Sequence, residues 1–453
     1  MANKELTREE LIKRSEKPSR DAMKLHPFYK GKIQIMAKCV VRNMDDFAIW
    51  YTPGVAKPCL AIKENPLAAY EHTNKGNFVA VITDGTRVLG LGNIGPEAAL
   101  PVMEGKGLLF KYLGGVDAFP ICVDETNPDK FIELVLALQP SFGGINLEDI
   151  EQPKCFYILD ELRKRARIPI WHDDQQGTAA VTVAGLINAV KVVNKKLSEV
   201  KVAMVGAGAS NVRIAHLLFL AGVNPQNVIM VDTKGILRTD REDAKVLEEK
   251  YAEKWELTLK TNPRKVRGGI PEAMKDADVL IALSKSGPGV IEPQWIKTMA
   301  SNSIVFTCAN PVPEIYPWDA KAAGARIVAT GRSDFPNQVN NSLGFPGIFR
   351  GTLDVKAKTI TNEMCLAAAQ ELAKVAEDKG LHEEYIIPTM AEWEVFPREA
   401  VAVGLKAIEQ GVAQQKYSRD ELMKMAETTI RHARESVEFL MKQKLIPPAP
   451  ELD

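Results

Sequence analysis

The run Val202-Ala203-Met204-Val205-Gly206-Ala207-Gly208-Ala209-Ser210-Asn211 reads as a β-strand, a glycine turn and the start of a helix. Gly206 permits the tight turn and Gly208 lets the backbone approach a pyrophosphate. The first helical residues, Ala209, Ser210 and Asn211, offer it free N–H groups. Asn211 stands where this fingerprint normally has Gly or Ala. The reading is strengthened by Asp232, which ends the next strand, Val228-Ile229-Met230-Val231-Asp232, where a carboxylate can accept hydrogen bonds from an adenosine ribose. Asp232 suits the free 2′-hydroxyl of NAD, whereas Lys234, Arg238 and Arg241 just beyond it could receive the 2′-phosphate of NADP. Both coenzymes stay open, with NAD slightly favoured. The competing reading is a strand-to-helix turn that binds nothing.

Working outward, apolar runs at Lys201–Val205, Val228–Val231, Val279–Leu283, Ile304–Cys308 and Arg326–Ala329 alternate with helical patterns, the mark of a doubly wound, Rossmann-type α/β sheet. Upstream, strands at Phe78–Thr83, Ala118–Val123 and Ile168–Trp171 and helices at Pro128–Leu138 and Pro153–Arg165 predict another α/β unit, joined through a helix at Thr178–Val193. From about Thr361 the pattern turns helical, and a Pro-rich tail at Ile446–Pro450 stops the last helix. The expected division is an N-terminal α/β domain for substrate and metal over 1–175, an NAD(P)-binding Rossmann-type domain over 176–390 and a C-terminal helical extension over 391–453.

The 453 residues carry 58 basic and 58 acidic side chains, so no net field recruits nucleic acid or a membrane. The stretch through Lys32 reads as a solvated helix. MANKELTREE lacks the apolar core of a secretory signal, and no run of about 20 apolar residues occurs, which makes the cytoplasm the expected compartment. The six cysteines are scattered without a CxxC pair and read as small core residues.

Two acidic pairs stand at strand ends: Glu148-Asp149 in GGINLED and Asp173-Asp174 in WHDDQQGT. Adjacent carboxylates repel unless a cation intervenes, and oxygen ligands with open positions suit Mg²⁺ or Mn²⁺. Taken singly, each pair would more often be a helix cap or a solvated turn than a metal site, and two pairs together shift the balance. His172 reads as a strand-end histidine with a structural hydrogen bond.

The segments Tyr51-Thr52-Pro53-Gly54-Val55-Ala56, Thr83-Asp84-Gly85-Thr86-Arg87-Val88-Leu89-Gly90-Leu91-Gly92 and His172-Asp173-Asp174-Gln175-Gln176-Gly177-Thr178-Ala179 resemble malic enzyme signatures, in the family's order. The resemblance runs from about Asp21 to Ala402 and is to the shorter, prokaryotic-type members. It implies a divalent-metal-dependent oxidative decarboxylation of L-malate to pyruvate and CO₂ with NAD or NADP. It further implies Glu148, Asp149 and Asp174 as metal ligands, Lys106 as general base and Asp173 as the support of that lysine. Tyr51 would be the acid that protonates the enol, and Arg87 the clamp on a malate carboxylate. Asn310 and Asn341, with Asn340 beside it, would donate to substrate and nicotinamide. A lysine acts as a base near neutral pH only if burial or a nearby cation depresses its pKa. Gln176 departs from the His common in short members, beside the nicotinamide. Closure of the two domains should gate turnover, and at least a homodimer is expected. The alternatives are a malolactic-type lyase, which returns NAD unchanged, a non-catalytic nucleotide-binding regulator, and an amino-acid dehydrogenase, which would not need the acidic trio.

Overall fold

The computed structural model describes residues 8–452. Strands β1 (Phe78–Thr83), β2 (Asp117–Cys122), β3 (Gly144–Leu147) and β4 (Ile170–His172) form a parallel sheet in the order β2-β1-β3-β4. The apolar run FVAVIT of β1 shows no alternation because it is covered on both faces, as a central parallel strand must be. β4 begins two residues later than the sequence suggests. Pro169 has no N–H to donate; its carbonyl accepts from the Ile145 N–H at 3.0 Å, and the paired register opens at Ile170. The chain leaves β1 toward β2 on one side and returns to β3 on the other. The carboxyl ends of β1 and β3 therefore flank a crevice.

The second sheet contains β5 (Val202–Val205), β6 (Val228–Asp232), β7 (Gly235–Ile236), β8 (Val279–Ala282), β9 (Ile304–Thr307) and β10 (Ile327–Thr330), in the order β10-β9-β8-β5-β6-β7. All pairings are parallel except that of β7 with β6. The doubly wound, Rossmann-type sheet is thus present, and its switch point lies between β5 and β8. Two residues of β7 are too few to give a periodic signal, so the sequence does not announce this edge. The Glu314 carboxylate accepts from the Ser284 N–H at 2.9 Å and the Ala309 N–H at 3.1 Å, tying together the loops that leave β8 and β9.

Helices that follow the second sheet pack back on the first one. Helix Phe345–Asp354 lays Phe345 and Phe349 against Phe110 of helix Pro96–Gly114, with ring centroids 4.6 and 5.2 Å apart, and Phe349 also meets Trp171 of β4. From helix Arg419–Lys442, the Arg434 guanidinium lies over the Tyr112 ring at 4.7 Å. An apolar face on these last helices has to be buried somewhere, and it completes the core beside the first sheet. The N-terminal helix runs Arg8–Tyr29; the preceding part of that expected helix lies outside the described residues.

Two outcomes follow from this packing. Phe349→Ala empties a fully buried ring site shared by the C-terminal helices and the first sheet, and should cost about 3–5 kcal/mol in chemical denaturation; a loss below about 1 kcal/mol would contradict the shared core. Burial pushes Glu314 up from its ordinary 4.5 to about 7. Between those values the folded chain holds a proton that the unfolded chain releases. This contribution to stability is therefore full below about pH 4.5 and lost as pH rises through about 7. Thermal melts across that window should show a decline that Glu314→Gln lacks, whereas parallel curves for the two proteins would refute the assignment.

Candidate active site

The carboxyl ends of β1, β3 and β4 deliver acidic residues to one crevice. Glu148 and Asp149 follow β3, Asp173 and Asp174 follow β4, and Glu148, Asp149 and Asp173 are each no more than 2% exposed. Asp149 adopts φ 54, a left-handed backbone that a non-glycine residue takes at some cost. The strain turns its carbonyl to the Arg87 N–H (3.0 Å) and its carboxylate to the Leu89 N–H (3.2 Å), so the loop after β1 is hung on the end of β3. Asp173 to Gly177 make one wide π-helical turn, a local geometry frequent at functional sites. Asp174 accepts from the Asp149 N–H at 2.8 Å. One oxygen each from Glu148, Asp149 and Asp174 lie within 4.8 Å of one another.

Lys106 enters from helix Pro96–Gly114. Its Nζ lies 3.1 Å from Glu148 Oε1, donates a short hydrogen bond to Asp173, and sits 4.7 Å over the ring of Phe345. Burial is the largest influence on Glu148, Asp149, Asp173 and Asp174, and raises the pKa of all four. For Lys106 burial lowers the pKa, but the charges of Asp173 and Glu148 outweigh it, and the net direction is upward. The donor set fits Mg²⁺ or Mn²⁺: every donor is oxygen, the three lie within reach of one centre, and buried Asp149 Oδ2 has no hydrogen-bond partner.

Supporting residues absent from the sequence argument are Asn146, which donates to Glu148 Oε2 at 2.9 Å, Trp171, whose Nε1 donates to Asp173 Oδ1 at 3.1 Å, and Phe345. Strand alternation, which puts Asn146 and Glu148 on one side and Trp171 and Asp173 on one side, could have suggested the first two. Nothing local could have suggested Phe345. His172 is fully buried and burial lowers its pKa to about 3, leaving it neutral. The structural hydrogen bond expected of it is absent: neither ring nitrogen has a partner. Gln176 points away from the crevice, accepting from the His172 N–H at 3.0 Å and donating to Cys365. Its departure from the family pattern lies behind the site.

The exposed Arg87 side chain is close enough for its charge to oppose, in small part, the rise that burial gives the pKa of Asp149 and Asp174. Asn310 follows β9, and the Gly90 backbone approaches it so closely that a Cβ there would come within 2.3 Å of its carbonyl oxygen. The loop after β1 thus meets the second sheet across the crevice. Asn340 is occupied as a cap, donating to Gly331 O and accepting from Ser342 N, both at 3.0 Å. Asn341 opens the short helical turn Asn341–Leu343, which packs against the Asp173–Gly177 turn. Tyr51 is 71% exposed, at the end of helix Asp46–Trp50.

At the switch point of the second sheet, Gly206 has φ 96, and a Cβ there would strike Leu283 O at 2.4 Å. Gly208 has open space beside it and precedes helix Ala209–Leu220, whose first N–H groups include those of Ala209 and Ser210. The Asn211 side chain is buried and donates to the carbonyls of Val205 and Gly206 at 2.9 and 2.8 Å, bracing the turn from behind. Arg241 grips both Asp232 oxygens at 2.8 and 3.0 Å and also holds Asp243; Lys234 pairs with Asp243 and Arg238 with Asp240. No helix among the described residues is long and apolar enough to cross a membrane.

Comparisons with known proteins identify the family. A family model for the malic enzyme N-terminal domain matches residues 30–128 and 125–163, and one for the malic enzyme NAD binding domain matches 175–408. The bifunctional malic/malolactic enzyme of Bacillus subtilis is 48% identical over 393 residues, 87% of this chain and 94% of that protein. The NADP-dependent malic enzyme of Escherichia coli is 44% identical over 408 residues, 86% of this chain and 52% of that longer protein. The crystal structure of Entamoeba histolytica malic enzyme superimposes with a TM-score of 0.96 at 49% identity, covering 99% of this chain and 93% of that one. With both domain models and a near full-length relative in agreement, the chain belongs to the malic enzyme family of NAD(P)-dependent oxidoreductases.

Proposed function

We propose that this protein oxidises L-malate with NAD or NADP and decarboxylates the product to pyruvate, with Glu148, Asp149 and Asp174 holding Mg²⁺ or Mn²⁺. The observation that carries the reading is the trio of converging carboxylate oxygens beside the buried Lys106–Asp173 pair. A bound divalent ion would supply Lewis acidity at the C2 oxygen of malate and offset the negative charges that keep Lys106 protonated. The nicotinamide ring would supply the hydride acceptor for C2. Lys106, oriented by Asp173 and the Phe345 ring, takes the proton of the C2 hydroxyl. Arg87 pairs with a substrate carboxylate in two-pronged fashion. Loss of CO₂ then leaves the enolate of pyruvate, which Tyr51 protonates at C3. Asn310 and Asn341 donate to substrate and coenzyme from the second sheet. The domain boundaries proposed are those of the sequence argument, with the helical extension acting as core for the first sheet.

The assay is NAD(P)H absorbance with purified protein, L-malate and Mn²⁺, in parallel with NAD and NADP and after EDTA. Metal-dependent NAD(P)H formation matched by pyruvate is expected, with a loss of about 10²–10⁴-fold in kcat for Lys106→Ala and for Tyr51→Phe. Lactate without NADH would favour the malolactic chemistry named in the B. subtilis relative, and no turnover of malate by either route would overturn the reading. Arg241 neutralises Asp232, so a 2′-phosphate meets no bare carboxylate there. Arg241→Ala should uncover that charge and lower kcat/KM for NADP relative to NAD by about tenfold or more; an unchanged ratio would remove Arg241 from coenzyme choice.

A further inference from the structure

Two partly buried arginines lie close together behind the Asp173–Gly177 turn, with no carboxylate paired to either. Arg163 comes from helix Lys154–Arg165, which leads to β4, and Arg213 from helix Ala209–Leu220, which follows the glycine turn of the second sheet. Their charges act on one another, and both act on the buried Cys365 thiol of helix Asn362–Lys379. Each guanidinium donates to a neutral oxygen: Arg163 Nη2 to Ile360 O at 2.7 Å, and Arg213 Nη2 to Gln175 Oε1 at 3.1 Å. The Nε of each is buried and has no hydrogen-bond partner. Among the described residues neither arginine forms a salt bridge within 4.0 Å. Asp160 and Glu253 lie within reach of the Arg213 charge, but burial outweighs that pull on Asp160, and Glu253 faces His216 at 3.6 Å.

Arg213 borders a cavity of about 10 Å³ together with His216, Gln176, Asn362 and Cys365, which is room for one occupant the size of a water. Like charges held where water cannot screen them raise one another's energy. A neutral water would leave that repulsion standing, whereas an anion removes it. The positive end of the Asn362–Lys379 helix dipole points the same way. A phosphate or a carboxylate is too large for the space.

We infer that this cavity binds one monatomic monovalent anion, a chloride, as the counter-ion of Arg163 and Arg213, and that the anion braces the Asp173–Gly177 turn from behind. The bracing follows from connectivity. Arg213 donates to Gln175 of that turn, Gln175 Nε2 donates to Cys155 O at 3.2 Å, and Gln176 donates to Cys365. An anion that fixes Arg213 therefore fixes the neighbour of Asp174.

Bromide takes the place of chloride and can be located directly. Anomalous diffraction at the bromine edge, from wild-type crystals soaked in bromide, should show a peak between Arg163 and Arg213; no peak there would overturn the inference. In solution, replacing gluconate by chloride at constant ionic strength should raise the Tm of wild type by about 2 °C or more relative to Arg163→Gln and Arg213→Gln. Equal shifts in all three proteins would overturn it, as would an equal gain over the variants from inorganic phosphate. Amide hydrogen exchange reads the brace separately. Chloride should slow exchange across residues 173–177 by about threefold or more in wild type and leave it unchanged in Arg213→Gln. Exchange indifferent to chloride in wild type would refute the bracing.

Discussion

Four carboxylates crowd around one lysine in a crevice with little access to water, and the rest of the architecture is arranged to tolerate that. Like charges this close raise one another's energy, and burial adds to it. The fold meets the cost partly through Lys106, whose ammonium lies between Asp173 and Glu148. It also uses fixed dipoles, from Asn146 to Glu148 and from Trp171 to Asp173. One oxygen of Asp149 is left without any partner in a buried position. A polar network incompletely satisfied by protein leaves room for a further partner, and the oxygen-ligated divalent cation proposed above would answer it.

The two sheets bring this demand to the coenzyme. Each has a switch point where connections leave to opposite sides, and the loops beyond both face one crevice. Gly90 from the first sheet lies against Asn310 from the second, so the loop hung on the acidic cluster touches the loop that leaves β9. Glu314 holds the β8 and β9 loops in register with each other, and the Phe345–Asp354 helix carries a ring from the far end of the sequence under Lys106. The site is therefore supported by segments more than two hundred residues apart.

Much of this was legible in the sequence, for physical reasons that differ by residue. Parallel strands such as β1 and β5 announce themselves as short apolar runs because both of their faces are covered. The glycine turn is readable because only glycine tolerates the conformation at 206. The acidic pairs are readable because adjacent carboxylates at strand ends call for a cation. Their chemical roles came from resemblance to a family, not from spacing. What the sequence hid was non-local: Phe345 beneath Lys106, the Arg241 grip on Asp232, and the return of the last helices to the first sheet. The opposition at Lys106 between burial, which lowers its pKa, and the carboxylates of Asp173 and Glu148, which raise it, is likewise set by residues distant in the chain. His172 resembled a hydrogen-bonded strand-end residue but is neutral and unpartnered, a difference set by packing that no local pattern encodes.

The central claim is that Glu148, Asp149 and Asp174 form the metal-binding centre on which the chemistry depends. Anomalous diffraction at the manganese edge from crystals grown with Mn²⁺ tests it most directly. The account predicts a peak bonded to one oxygen from each of these three residues, beside Lys106 and open toward the glycine turn. A peak elsewhere, or none at this cluster under conditions that support turnover, would contradict it.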